Sequence, residues 1–594
     1  MQFARMRRTL QRRVNRSQKQ VEGFGAHAER DIDKYFFRRY PHLLRVRRFL
    51  IGWLLLLFVL IGGVISQNFL LDGYYQTLQP VAGGRYDEGI LGTFTTANPL
   101  YATSEADTSV SHLLFSSLFD YNNKNQLVGQ LASGYSVDAA GTTYSVHLKA
   151  GLTWQDGKPL TSQDVAFTYH TIQDPDAESP LFGSWQGITV TATNPTTITF
   201  KLPNVLASFP YTLTNGIIPE HLLSSIPAVE LRSADFNTIH PVGSGPFSWQ
   251  ALQVNGNDPT NAVEQIALTP FSHYVGGKPK LDEFMFHVYA DQTQLEQAFD
   301  SNQLNGVEGL SSVPNSIAHK RGVVEHNLLL SAGTYVFFKT TSGVLSDQNV
   351  RLALVQAANV PSIIAKLGYL TIPVTEPLLK GQLAYNPAYQ QAAFNLAAAN
   401  TMLTADGWVM GKDGIRSKAG QQLSFTLSAA NNAEYQAVSE RLSAMWRKVG
   451  AVVSVQLQPP DSFTTVVSEH QYQAVLYGIS IGVDPDVFVY WDSSQADIRS
   501  TNRLNLSEFK NPVADEALES GRTRLEPALR VIKYQPFLQV WQQQAPALGL
   551  YQPRVLYITN SLVAGFTNHT LNASTDRFND VQNWEVREAR VTNP

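Results

Sequence analysis

Apolar residues are spaced along this chain in three ways, and each spacing predicts a different element. Residues 49–65 (FLIGWLLLLFVLIGGVI) are seventeen positions without a charge, and none follows until Asp72. At about 1.5 Å of rise per residue, a helix over 49–71 spans a hydrocarbon core of about 30 Å with some tilt. Its lack of polar periodicity argues against a helix lying on a protein core. A period of two appears next: Thr143–Leu148 (TYSVHL) alternates, and 188–202 (ITVTATNPTTITFKL) reads as two strands around an Asn194-Pro195 turn. Asp156-Gly157 marks another turn. Thr161 or Ser162 can cap a helix starting near Asp164, with Val165, Phe167 and Tyr169 along it.

The second half of the chain shows longer helical periodicity. Residues 347–358 place Val350, Leu354 and Ala357 on one face, and Pro361 starts a further helix that stops at Gly368. Residues 389–407 are Ala-rich and predict a helix throughout. Residues 433–450 are amphipathic, with Val438, Leu442 and Trp446 at four-residue steps and Gly450 as the stop. A strand over 452–457 follows, and this alternation of helix and strand indicates an α/β unit.

Charge orients the apolar helix. Residues 1–48 carry 14 Lys/Arg against 4 Asp/Glu, a net +10, while the whole chain is −4, leaving −14 for 49–594. Arg45, Arg47 and Arg48 flank the helix directly. The positive-inside rule puts the N-terminus in the cytoplasm and the remainder outside the cell membrane, anchored in lipid by a single pass. A cleaved signal peptide is the rival reading. It would need an unusually long basic region and an overlong apolar run, and no clear A-x-A site follows. The Arg-rich stretch 1–19 has the composition to lie on anionic headgroups, but an orientation signal with a solvated extension accounts for it with less.

The predicted division is a basic tail (1–48), a transmembrane helix (49–71), a linker (72–87, with Pro80, Gly83 and Gly84) and roughly 500 further residues, enough for two or three domains. The chain has no cysteine, which excludes disulfides, thiolate metal sites, cysteine nucleophiles and a lipid-modified N-terminal cysteine. It has no H-E-x-x-H, no G-x-S-x-G and no phosphate-cradling loop. Ser507-Glu508-Phe509-Lys510 fits S-x-x-K without that class's other motifs, and Asp484-Pro485-Asp486 lacks the glycine and distal Glu of a calcium loop. No catalytic residue, metal or cofactor is indicated. The −14 charge of the exterior part disfavours nucleic acid.

Several segments, in order, resemble the family 5 extracellular solute-binding proteins, the peptide-binding receptors of ABC importers. Ala97-Asn98-Pro99-Leu100 is similar to the opening T-L-N-P. Residues 113–120 (LLFSSLFD) and 131–135 (LASGY) follow. Residues 144–165, with LKAGLTWQDGKPLT inside them, match the family's most distinctive stretch. Ile218-Pro219-Glu220-His221, Pro241-Val242-Gly243-Ser244-Gly245-Pro246, Val350-Arg351-Leu352-Ala353, Ala405-Asp406-Gly407-Trp408 and Asp484-Pro485 complete the series. No single motif is specific; their order and spacing over about residues 90–565 carry the resemblance. Asp156-Gly157 suits a turn at positive φ, and 243–246 suits a bend where a side chain would collide.

The resemblance implies an α/β, two-lobed periplasmic-binding-protein-like fold of type II, with an extra subdomain in lobe I, preceded by the transmembrane helix. Lobe I would hold 88–334 and the return 556–594, and lobe II 335–555, with crossovers near 333–336 and 551–557. The function implied is that of a monomeric, membrane-anchored receptor that encloses a peptide by hinge closure and delivers it to ABC permease subunits. Asn98, Tyr335, Phe337, Tyr477, Ser480, Asp484 and Trp491 are the candidate ligand contacts. Family members hold the ligand's α-amine with an acid shortly before D-P, beside G-W. Here Ile479 stands at the Trp position, Ile481 or Gly482 at the acid, and Asp484 is the remaining candidate. Two alternatives stay open: a non-peptide solute such as a sugar or metal chelate, and a sensor or scaffold that reuses the fold without transport.

Overall fold

The computed structural model describes residues 47–256, 262–497, 499–500, 503–560 and 563–592. Most of the basic tail therefore lies outside the described residues. The chain divides into two units, 1–79 with 588–594, and 80–587. In the first, the apolar run is a helix over Arg47–Tyr75. Its segment Arg48–Gln67, with mean hydropathy 2.6, is the one described helix long and apolar enough to cross a membrane. The stretch 72–87 holds ordered elements: the helix runs to Tyr75, and Gln76–Val81 and Arg85–Leu91 are strands. Arg85–Leu91 cannot be linker, because Tyr86, Glu88 and Ile90 are fully buried in a sheet.

The second unit is built on two large mixed sheets. The first has seven strands in the order Val323–Leu329, Arg554–Asn560, Gly306–Glu308, Arg85–Leu91, Glu283–Tyr289, Val263–Pro270 and Phe247–Asn255. Arg85–Leu91 runs parallel to both its neighbours, and the remaining pairs are antiparallel. The C-terminal segment is tied to this sheet by a buried ion cluster. Arg577 donates to Glu88 (3.3 Å) and Glu105 (3.0 Å), and the Tyr557 hydroxyl donates to Glu88 (2.7 Å). Attached to the same apolar core is a four-stranded antiparallel sheet, Ala132–Val137, Thr143–Leu148, Thr197–Lys201 and Thr189–Asn194. The helix Ser162–Gln173 covers it. Thr161 and Asp164 close a capping box there, so the helix starts two residues before the position read from sequence.

The bend at 243–246 is as tight as its glycines suggest. A Cβ on Gly243 would lie 1.8 Å from the Leu114 carbonyl oxygen, and one on Gly245 2.6 Å from that of Leu113.

The second sheet has five strands, Val452–Gln458, Ser424–Ala430, Ala474–Ser480, Ala332–Phe338 and Ala547–Tyr551. Its central strand shows why both faces are covered. Val336 and Phe338 enter one core, beneath the helices Gln348–Ala357 and Ala433–Arg447, while Tyr335 and Phe337 enter the other, with Trp491 and Trp541. Asp347 and Asn432 cap those two helices. The helix expected over 389–407 forms only at Leu396–Ala405. Gln391 acts instead as a false strand: its backbone N–H donates to Thr375 (2.7 Å), and its side chain exchanges hydrogen bonds with the Gly549 backbone (2.9 and 2.8 Å). Asn395 then starts the helix by accepting from the Ala398 N–H.

Candidate functional site

The chain passes between the two sheets at two adjacent places. Strand Val323–Leu329 leads through Leu330 and Ser331 into Ala332–Phe338, and Ala547–Tyr551 leads through Gln552 and Pro553 into Arg554–Asn560. The crossings are bonded to each other: the Leu330 N–H donates to the Pro553 carbonyl (2.9 Å), and Gln552 Nε2 donates to the Leu330 carbonyl (3.0 Å). The Ser331 carbonyl accepts from the N–H groups of Ile481 (3.0 Å) and Gly482 (2.8 Å). Two short crossings, hydrogen-bonded to each other, connect the two packed sheets.

The bodies also touch away from the crossings. Ser208 Oγ donates to Asp486 Oδ2 (2.8 Å), which also pairs with Arg522 (3.2 Å), and the Ala207 N–H donates to the Arg522 carbonyl (2.9 Å). Between hinge and contact lies a cavity of about 380 Å³, within the size range of small-ligand sites. One lobe contributes His112, Asp120, Tyr121, Ser208, Tyr211 and Thr214, the other Ser480 to Asp484 and Asp486, and the C-terminal segment Asn572, Thr575 and Asp576. A second cavity of about 330 Å³ runs into the first lobe and shares His112, Asp120, Thr214 and Thr575 with it. Among the described residues, Asn215 and Asn572 on these walls each have a buried side-chain atom without a hydrogen-bond partner, Nδ2 and Oδ1. Such atoms are costly unless something else satisfies them.

The charged groups on these walls are mostly committed. Asp484 receives a bidentate fork from Arg530 (2.6 Å and 2.6 Å). Burial opposes the charge on Arg530, but the hydrogen bonds and charge of Asp484 outweigh it and raise the guanidinium's pKa. Asp576 accepts from the N–H groups of Asn572 (2.7 Å) and Ala573 (3.3 Å). Burial raises its pKa, and the nearby Asp120 charge adds to the effect. Burial lowers the pKa of His112, favouring the neutral ring; the Asp576 charge opposes this and the Arg577 charge reinforces it. Burial pushes Asp120 up to about 6, although the Tyr121 N–H favours its charged form.

The candidate contacts read from the sequence fall into four groups. Ser480 and Asp484 line the cavity, but the Asp484 carboxylate is occupied by Arg530, so it is not the open acid expected. Tyr335, Phe337 and Trp491 are fully buried in the core behind the sheet. Their rings pack on one another at 5.5, 5.6 and 6.1 Å between centroids, and the Tyr335 hydroxyl donates to the Glu376 carbonyl (3.0 Å). Tyr477 is half-buried against Phe463. Asn98 is buried as a loop clamp, donating to Asn237 Oδ1 (3.0 Å) and accepting from the Leu100 N–H (3.0 Å). Ser507 donates to the Pro546 carbonyl (2.9 Å), away from any nucleophilic role. Sequence reasoning missed the first lobe's wall. Asp120 was in view as the last residue of LLFSSLFD, but nothing in the pattern aimed it at a cavity.

Comparison with known proteins agrees with this architecture. Residues 126–500 match the model of a family described as bacterial extracellular solute-binding proteins, family 5 Middle. The oligopeptide-binding protein AppA of Bacillus subtilis is 25% identical over 491 residues, covering 80% of this chain and 87% of AppA. The structure of Bacillus subtilis AppA in complex with a nonapeptide superposes with a TM-score of 0.68 at 23% identity, covering 86% of this chain and 100% of that one. NikZ from Campylobacter jejuni, in complex with Ni(L-His), gives a TM-score of 0.70 at 21% identity, covering 84% and 99%. These likenesses establish the two-lobed periplasmic-binding-protein-like α/β fold.

Proposed function

This chain belongs to the bacterial extracellular solute-binding proteins of family 5, and from that premise we propose that it is a membrane-anchored receptor that encloses peptides and presents them to an ABC permease. The observation that carries the reading is the interlobe cavity, bounded by the coupled crossings on one side and the Ser208–Asp486 contact on another. Closure places walls from both sheets around one volume, so a ligand touching both favours the closed state by its differential affinity. A micromolar ligand supplies about 8 kcal/mol, of which only the part specific to the closed form shifts the population.

On this reading lobe II spans about 335–555, and the C-terminal segment returns to lobe I. The helix Arg47–Tyr75 holds the receptor at the outer face of the cell membrane, N-terminus inside, at high local concentration near its permease. No bond is made or broken. Peptide is favoured over other solutes by the likeness to AppA, whose structure holds a nonapeptide. A small metal chelate is the second reading, because the similar NikZ structure holds Ni(L-His).

The experiment is native mass spectrometry of the full-length protein released gently from membranes, with crosslinking in the same membranes. Retained peptides and a crosslinked permease subunit are expected. A retained chelate in place of peptide would replace the ligand class, and absence of any permease crosslink would favour a sensor.

A further inference from the structure

Four carboxylates line the interlobe cavity, and two are paired with arginine, Asp484 with Arg530 and Asp486 with Arg522. Asp576 and Asp120 have only neutral donors, and of the four Asp120 alone lies on the walls of both cavities. Its partners are the neutral N–H of Tyr121 (2.8 Å) and the neutral amide of Gln130 (3.3 Å). It lies on the walls of both the cavity of about 380 Å³ and the one of about 330 Å³. An enclosed carboxylate without a charged partner is costly, and a bound cation relieves that cost. The raised pKa of the group has the same origin, loss of water without a countercharge.

We propose that Asp120, on the first lobe, is the residue that selects ligands carrying an organic ammonium group, which seats against its carboxylate. The sequence pattern directed this role to Asp484 on the opposite lobe, and the Arg530 fork removes it from there. The ammonium donates to the Asp120 carboxylate. The ammonium is either a peptide's α-amine or the end of a basic side chain. The inference deepens the binding reading above and rests on its cavity, but not on the ligand being a peptide.

The test is isothermal titration of full-length protein in detergent micelles with four probes: tetra-alanine amide, N-acetyl-tetra-alanine amide, N-acetyl-Ala-Lys-Ala-Ala amide and 1,5-diaminopentane. Wild type is expected to bind the charged probes at least tenfold more tightly than N-acetyl-tetra-alanine amide. Asp120→Asn is expected to erase that difference while leaving the uncharged probe unchanged and the melting temperature no lower. Preference for tetra-alanine amide assigns the site to an α-amine, and preference for the lysine probe assigns it to a side chain. Binding of diaminopentane alone, lost in Asp120→Asn, keeps the cation site and rejects peptide as the ligand class. Equal affinity of wild type for charged and uncharged probes, or no binding of any probe, overturns the proposal without recourse to a variant. So does a folded Asp120→Asn protein that keeps the charged preference.

Discussion

The side-chain amide of Gln552 donates to the backbone carbonyl of Leu330 across 3.0 Å, joining the two segments that pass between the sheets. The residues are 222 positions apart in sequence, and Gln552 is buried. Removing the amide leaves the Leu330 carbonyl without this donor in a buried place, a loss of about 1–3 kcal/mol. Gln552→Ala should therefore loosen the hinge and lower the unfolding midpoint in urea. Ligand dissociation should speed up more than association slows, because the closed state depends on both crossings. A variant with unchanged dissociation rate and stability would show that the bond is incidental.

The Asp484–Arg530 fork makes a second prediction that departs from the sequence. An amine-binding acid, replaced by Ala, would weaken peptide binding and leave folding normal. Here Asp484→Ala strands a buried guanidinium, which costs about 3–5 kcal/mol. Replacing both partners with apolar residues, as in Asp484→Leu with Arg530→Met, should recover most of that loss. Chemical denaturation of the two single variants and the double variant gives the coupling directly, and additive losses would rule out the pair as the cause.

Trp491 tests the placement of the aromatic candidates. It is fully buried and packs 5.8 Å from Trp541 and 5.6 Å from Phe337 between ring centroids. Trp491→Ala should cost about 3–5 kcal/mol through the cavity it leaves. Ligand affinity, measured where the variant remains folded, should change little. A large drop in affinity with stability intact would return Trp491 to the cleft.

Glu376 gives a pH dependence. It is fully buried with one carboxylate oxygen unpartnered among the described residues, and burial pushes its pKa up to about 8 from the ordinary 4.5. The folded state then holds a proton that the unfolded state has lost between those values. The stabilisation is complete below about pH 4.5 and is lost as pH rises through about 8. Within that window each pH unit costs at most about 1.4 kcal/mol. Glu376→Gln should flatten this part of the stability profile, read as melting temperature at pH 5, 6.5 and 8. Parallel profiles for the variant and wild type would show that Glu376 ionises normally.

Local chemistry made much of this protein legible. The apolar helix, the capped helices at Thr161, Asp347 and Asn432, the hairpin over Thr189–Lys201 and the Gly243 bend each follow from residues within one turn or strand of one another. The order of short motifs gave the family. Failures arose where a partner distant in sequence decided the outcome. Gln391 abandoned the predicted helix because Gly549 offered it a strand edge. Asp484 ceased to be an open acid because Arg530 lies 46 residues on.

The sequence by itself determined that an apolar helix precedes an α/β body, because hydrophobic spacing and turn residues act locally, and the two lobes were implied by the resemblance that its ordered motifs carry. Which face of the strand Ala332–Phe338 meets which core, and which carboxylate is left without a cation, only the tertiary structure decided. Both depend on what packs above each side chain, and burial turns identical carboxylates into an ion pair, a helix cap or an open site according to the neighbours that the fold delivers.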